Sequence, residues 1–158
     1  MECVQLPDPA LCCQFLSMAR SMKIHAQGLV DDGTLLREEN GAVTATGEEN
    51  DQYTVFKIYK YTVDDKLAYK IQSIEDKMFL AIDKETENLI TKKDPENEST
   101  LFWSRKIYDF TVLQSVVGMK CYLYVDASGA VITTKIHDEE DLRKVVNVWF
   151  KVNRVAEG

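Results

Sequence analysis

The sequence predicts an all-β domain, and three observations carry that prediction. Short alternating runs rich in Val, Ile, Tyr, Phe and Trp fill most of the 158 residues, and these residue types suit a pleated, half-buried surface. Turn residues separate the runs: Asp31-Asp32-Gly33, Asn40-Gly41, Asp94-Pro95-Glu96-Asn97 and Ser128-Gly129. One order of landmarks then recurs three times. Length fits a single domain that buries about two-thirds of its unfolded surface. A hydrophobic content of 45% against 28% charged residues excludes a disordered or fibrous chain.

Taken in order, the first unit starts at Ile24, the second at Tyr69 and the third at Thr111. Gln27, Gln72 and Gln114 align at spacings of 45 and 42 residues. Leu35, Leu80 and Leu123 follow, each in a short apolar run. A polar turn comes next (EEN, KETEN, DASG), then a β-branched run with Val43, Ile90 or Val131. Each unit closes on a longer aromatic run: 53–61, 101–108 and 145–152. In the first of these, Tyr53, Val55, Lys57, Tyr59 and Tyr61 alternate with Thr54, Phe56, Ile58, Lys60 and Thr62. Two stretches alone show helical character: 11–22, with weak helical spacing, and the charged segment 137–143, which predicts one turn.

Four strands per unit and three units predict twelve strands in a pseudo-three-fold barrel, an arrangement that resembles the β-trefoil. Barrel closure removes edges that would otherwise template aggregation. Three propeller blades would be too few for that architecture. Leu35, Leu80, Leu123, Phe56, Phe102 and Trp149 are the expected barrel core, each costing about 2–5 kcal/mol on truncation to Ala. Residues 1–20 precede the repeat and are expected to form an extension, open to trimming, ahead of a trefoil domain over 21–158.

The four cysteines are Cys3, Cys12, Cys13 and Cys121, three of them crowded into the first thirteen residues. A secreted disulfide framework spreads its cysteines, so reduced thiols are expected. The opening MECVQLPDPALCC has no basic region leading an apolar one, and no run approaches the length of a membrane span. Synthesis in the cytoplasm without a leader, and no membrane insertion, are the corresponding expectations. The chain carries 19 Lys+Arg against 26 Asp+Glu, a net charge of −7. This disfavours nucleic acid, whose phosphates need clustered cations.

Catalytic patterns are missing. There is no GxSxG, HExxH, P-loop or GxGxxG, no CxxC pair accompanies the distant His25 and His137, and the paired acids 48–49, 64–65 and 139–140 all fall in turns. The DEED segment lacks the ligand spacing of a calcium loop. Neither enzyme activity nor a cofactor or metal is expected.

Among trefoil families, ricin-type lectins repeat a QxW motif, whereas the glutamines here read QGL, QSI and QSV. Kunitz-type plant inhibitors are exported and disulfide-bonded. Fibroblast growth factors hold a Lys/Arg heparin site in the third unit. Here that segment is KIHDEEDLRKVV, with four consecutive acids, so heparin is a disfavoured partner. Fascin-like actin binders use several trefoils in tandem, and an intracellular actin-binding or adaptor module is the alternative kept.

The segment LFWSRKIYDFTVLQSVVGMKCYLYVDAS resembles the signature of the interleukin-1 cytokines. Phe102 and Trp103 match its upstream aromatics, Leu113-Gln114-Ser115-Val116 its central block, and Tyr122-Leu123 the following strand. Gly118-Met119 stands where that family has a proline, and Val125 where it has Ser or Thr. Weaker similarity covers residues 22–152.

The resemblance implies a monomeric secreted cytokine gripped by immunoglobulin-like receptor domains and joined by a co-receptor, activating or antagonising inflammatory signalling. It transfers no receptor contact residue by residue. The residue types themselves nominate three exposed loops as receptor-binding: Glu48, Glu49 and Asp51; Lys92, Lys93 and Asp94; and His137, Asp138, Glu139, Asp141, Arg143 and Lys144. Exposed acids there would steer a basic receptor face and raise the association rate.

Overall fold

The computed structural model describes residues 3–5, 12–28, 34–93 and 98–155. The strands in chain order are β1 (Cys3–Gln5), β2 (Cys12–Ala26), β3 (Thr34–Glu39), β4 (Ala42–Gly47), β5 (Phe56–Val63), β6 (Lys66–Ser73) and β7 (Phe79–Ile82). Then follow β8 (Leu89–Lys92), β9 (Phe102–Ile107), β10 (Phe110–Ser115), β11 (Cys121–Val125), β12 (Val131–Lys135) and β13 (Phe150–Arg154). One helical turn, α1 (Glu139–Leu142), lies between β12 and β13.

Six of these strands close a ring. Antiparallel ladders run β2–β5, β5–β6, β6–β9, β9–β10, β10–β13 and β13–β2. The remaining strands form three hairpins, β3–β4, β7–β8 and β11–β12, each laddered onto the ring through β2, β6 or β10. The hairpins also clasp one another. Ala45 N donates to Gly129 O at 2.7 Å, Thr133 Oγ1 donates to Glu87 O at 2.8 Å, and Thr91 Oγ1 donates to Gly41 O at 3.4 Å. A six-stranded barrel capped by three hairpins is the β-trefoil, and β2–β13 are its twelve strands. β1 is an addition, paired with the start of β2.

The repeat is the cause of this shape. The aligned leucines fall on β3, β7 and β11, and Val43, Ile90 and Val131 fall on β4, β8 and β12. Phe56, Phe102 and Phe150 head the three closing strands and are fully buried in one cluster with Leu36, Leu80 and Leu123. Tight turns take the residues that tolerate positive φ: Asn40 at 52° and Gly41 at 88° join β3 to β4, a two-residue connection whose twist suits a hairpin.

Four expectations shift in detail. Trp149 is only half-buried, because the third closing strand starts one residue later and Phe150 takes the core slot. Leu35 is buried, but a bulge between Leu35 and Arg37 turns Leu36 into the central cluster. The alternation assigned to 53–55 is lost to a 3₁₀ turn, Gln52–Thr54. Lastly, 12–22 is strand: residues 13–22 ladder onto β5, with bulges at Phe15/Ser17 and Ala19/Met22. Those bulges insert extra residues and blur the period-2 pattern into weak helical spacing. Residue 20, the expected boundary of the extension, thus lies within β2.

Candidate functional site

The three loops nominated from sequence occupy equivalent positions, each joining the third strand of a repeat to the fourth. Threefold geometry therefore spreads them around the barrel and does not gather them into one site. Their side chains also differ in freedom.

In the first loop, Asp51 is a structural pin. Its Oδ1 accepts Tyr53 N at 2.9 Å, capping the 3₁₀ turn, and its Oδ2 accepts Arg37 Nε at 2.6 Å. The Arg37 hydrogen bond, helped by the Tyr53 amide, holds the Asp51 carboxyl below its ordinary range. Glu49 is tied to Lys23, whose Nζ reaches its Oε2 at 3.1 Å and its carbonyl at 2.6 Å. Glu48 is exposed. In the second loop Lys92 ends β8 and Lys93 is exposed beside Asn40, Asp76 and Met78. Asp94 lies outside the described residues.

The third loop is built as a platform. Asp138 caps α1, accepting Glu140 N at 3.0 Å, and the buried Leu142 plugs the turn into a cluster with Ile107, Tyr122 and Val148. Glu139 takes both its oxygens to Arg105 Nη2 at 2.7 Å, and Arg105 also reaches Tyr122 Oη at 3.0 Å. Arg143 pairs with Glu140 at 3.2 Å. His137, Asp141 and Lys144 remain exposed on this rim.

Beside the rim lies an aromatic patch that the sequence reading missed. Trp149 stacks on Phe110 at 5.1 Å and meets Tyr108 edge-on at 5.7 Å. Lys151 Nζ sits 5.3 Å from the centre of the Phe110 ring, a cation–π geometry. Trp149 Nε1 donates to Leu142 O at 2.8 Å, which fastens the patch to α1. Tyr108, 68% exposed, stands at the β9–β10 turn with φ at 56°. The signal was present in the alternation: if Phe150 points inward, Trp149 must point out.

On the other flank of Arg105 a cleft of about 520 Å³ opens between β6 and β9, lined by Lys66, Leu67, Trp103, Arg105, Lys120 and Glu139 among others. Neither this cleft nor the patch assembles a nucleophile with a base. Cys13 and Cys121 are buried free thiols whose pKa values burial pushes up, the opposite of an activated cysteine.

Comparison with known proteins gives one family. Residues 20–141 match the family model described as fibroblast growth factor. No curated protein matches the chain.

Proposed function

This chain belongs to the fibroblast growth factor family, and we propose that it is a secreted ligand that signals by binding a cell-surface receptor. That family comprises signalling ligands with this fold. The acids of the third loop, expected to set the chain apart from the growth factors, do not exclude it from them.

The observation that carries the reading is the third-repeat face. Exposed Tyr108 and half-buried Phe110 and Trp149 form an aromatic centre fastened to α1 through Leu142, with Lys151 over the Phe110 ring. A few aromatic anchors inside a charged rim are the anatomy of a binding hot spot. A receptor with immunoglobulin-like ectodomains, and a co-receptor recruited to a second patch, is the partner we propose. The Leu113–Val116 block and its flanking aromatics support the finer reading of interleukin-1-like action in inflammatory signalling. The consecutive acids Asp138 to Asp141 support low dependence on heparin, since they oppose a polyanion on that same loop.

The test is surface plasmon resonance of the full chain against ectodomains of the growth-factor and interleukin-1 receptor classes. Saturable binding to one class is expected, weakened about tenfold or more by Tyr108→Ala, in line with loss of an aromatic hot spot. Absence of binding to any of them overturns the reading.

A further inference from the structure

Equivalent strands in the three repeats should have equivalent neighbours, and β5 departs from the other two: β13, like β9, meets the first strand of its own repeat only at its start, at Thr111↔Phe150. β5 has a strand along both edges: β6 on one side, and on the other β2, paired from Met22↔Phe56 to Cys13↔Val63. β9 has β10 along its whole length. On its other edge β6 reaches only Phe102 and Trp103. Among the described residues, 104–107 therefore have a ladder on one edge only. The missing neighbour would be a strand continuing upstream of Lys66, but there the chain turns through Asp64 and Asp65 into β5. In the first repeat the aligned position, six residues before its glutamine, is Ser21, and the chain simply runs on upstream as β2.

The cleft between β6 and β9 lies at this gap. Lys66, Arg105 and Lys120 line it with one acid, Glu139, and that acid is already committed to Arg105. On a chain of net charge −7, this is a local reversal of sign. Its floor is apolar as well as cationic: Lys66 Nζ lies 5.6 Å from the centre of the Trp103 ring, and Leu67 is 38% exposed.

We propose that the free edge of β9 accepts an extended acidic segment of a partner protein as an added antiparallel strand. β2 over β5 is the internal template for its geometry. An unpaired strand edge offers main-chain donors and acceptors that an extended peptide satisfies. Successive side chains of such a peptide alternate in direction, so every second residue meets the face shared by Lys66, Trp103 and Arg105, while its neighbours meet Leu67. Carboxylates at the first positions and aliphatic side chains at the second fit that lining. A sulfated glycan would satisfy the cations but not the backbone edge. This inference does not rest on the receptor reading, which concerns the opposite flank of Arg105.

The experiment is an NMR titration of the full chain with a short blocked peptide alternating Glu and Val, a Lys–Val counterpart, and a sulfated oligosaccharide. The Glu–Val peptide is expected to shift the amides of 104–107 and slow their hydrogen exchange. The Lys–Val peptide, and a Lys66→Glu/Lys120→Glu variant with unchanged melting temperature, should bind about tenfold more weakly. If that variant melts lower, raising the salt concentration replaces it and must weaken Glu–Val binding. No change at 104–107, equal affinity for the two peptides, or occupation of the cleft by the oligosaccharide alone would overturn the proposal.

Discussion

β5 and β9 begin with the same buried phenylalanine, Phe56 or Phe102, yet one is walled on both edges and the other on one. The inner faces of the strands repeat because six strands must fill one barrel, and each Phe meets the same demand. Outer edges answer to whatever chain lies nearby, and in the first repeat that is the 13–22 stretch of β2, laid along β5. The comparison separates what the repeat fixes, the core, from what it leaves free, the edges and loops.

The largest expected effect tests the core half of that statement. Phe56→Ala, Phe102→Ala and Phe150→Ala should each cost about 3–5 kcal/mol, the range for emptying a buried aromatic site, measured by denaturant unfolding. Costs that agree among the three would show that energetic symmetry follows the geometric one. A much smaller cost at Phe102 would mean that the open edge of β9 lets its site collapse.

Removing residues 1–20 tests the edge half. The ladder Cys13↔Val63 to Ala19↔Ile58 disappears, and with it the burial of Cys13 against Val63, Ala68 and Leu101. At about 0.5 kcal/mol per net hydrogen bond, the low end of the range, over this edge ladder, plus the lost apolar contact, the loss should be about 3–4 kcal/mol. Hydrogen exchange gives the sharper readout. Amides at 58–63 should be slower than those at 104–107 in the full chain and approach them after truncation. Unchanged protection at 58–63 would remove β2 as the template for strand addition. We propose that trimming, where it occurs, also exposes this second edge.

Trp149→Ala comes next, at about 1–2 kcal/mol. Trp149 is half-buried, so it loses a stack on Phe110 and one hydrogen bond to Leu142 without emptying a core site. A cost matching that of Phe150→Ala would contradict the outward placement of the indole.

The fold was legible because repetition multiplies weak signals. One alternating run is ambiguous, but Gln27, Gln72 and Gln114 in register with the leucines exclude most other architectures. β2 was not legible, since its two bulges break the period that marks a strand. Of the site, the charged loops could be named but their freedom could not. Nothing in the local sequence says that Glu49 meets Lys23 or that Glu139 meets Arg105, because those partners are set by barrel closure across 26 and 34 residues. The aromatic patch was hidden by a one-residue register choice at Trp149 and Phe150, and such a slip exchanges core for surface.

The smallest effect distinguishes pin from contact in the first loop. Asp51→Asn keeps Oδ1 for the Tyr53 amide but sets an NH2 group against Arg37 Nε, so the variant preserves the cap while removing the charged pair. The folded carboxyl titrates below its ordinary value of 3.8. Its contribution is therefore fully present above 3.8 and disappears as the pH falls through the lower folded value. For a side chain this near the surface the contribution should be below about 1 kcal/mol. Stability against pH should then show Asp51→Asn weaker than the parent at neutral pH and converging with it at the acid end. A pH-independent gap for Asp51→Asn would instead mean that the loss comes from the amide group set against Arg37 Nε, and not from the carboxylate's charge.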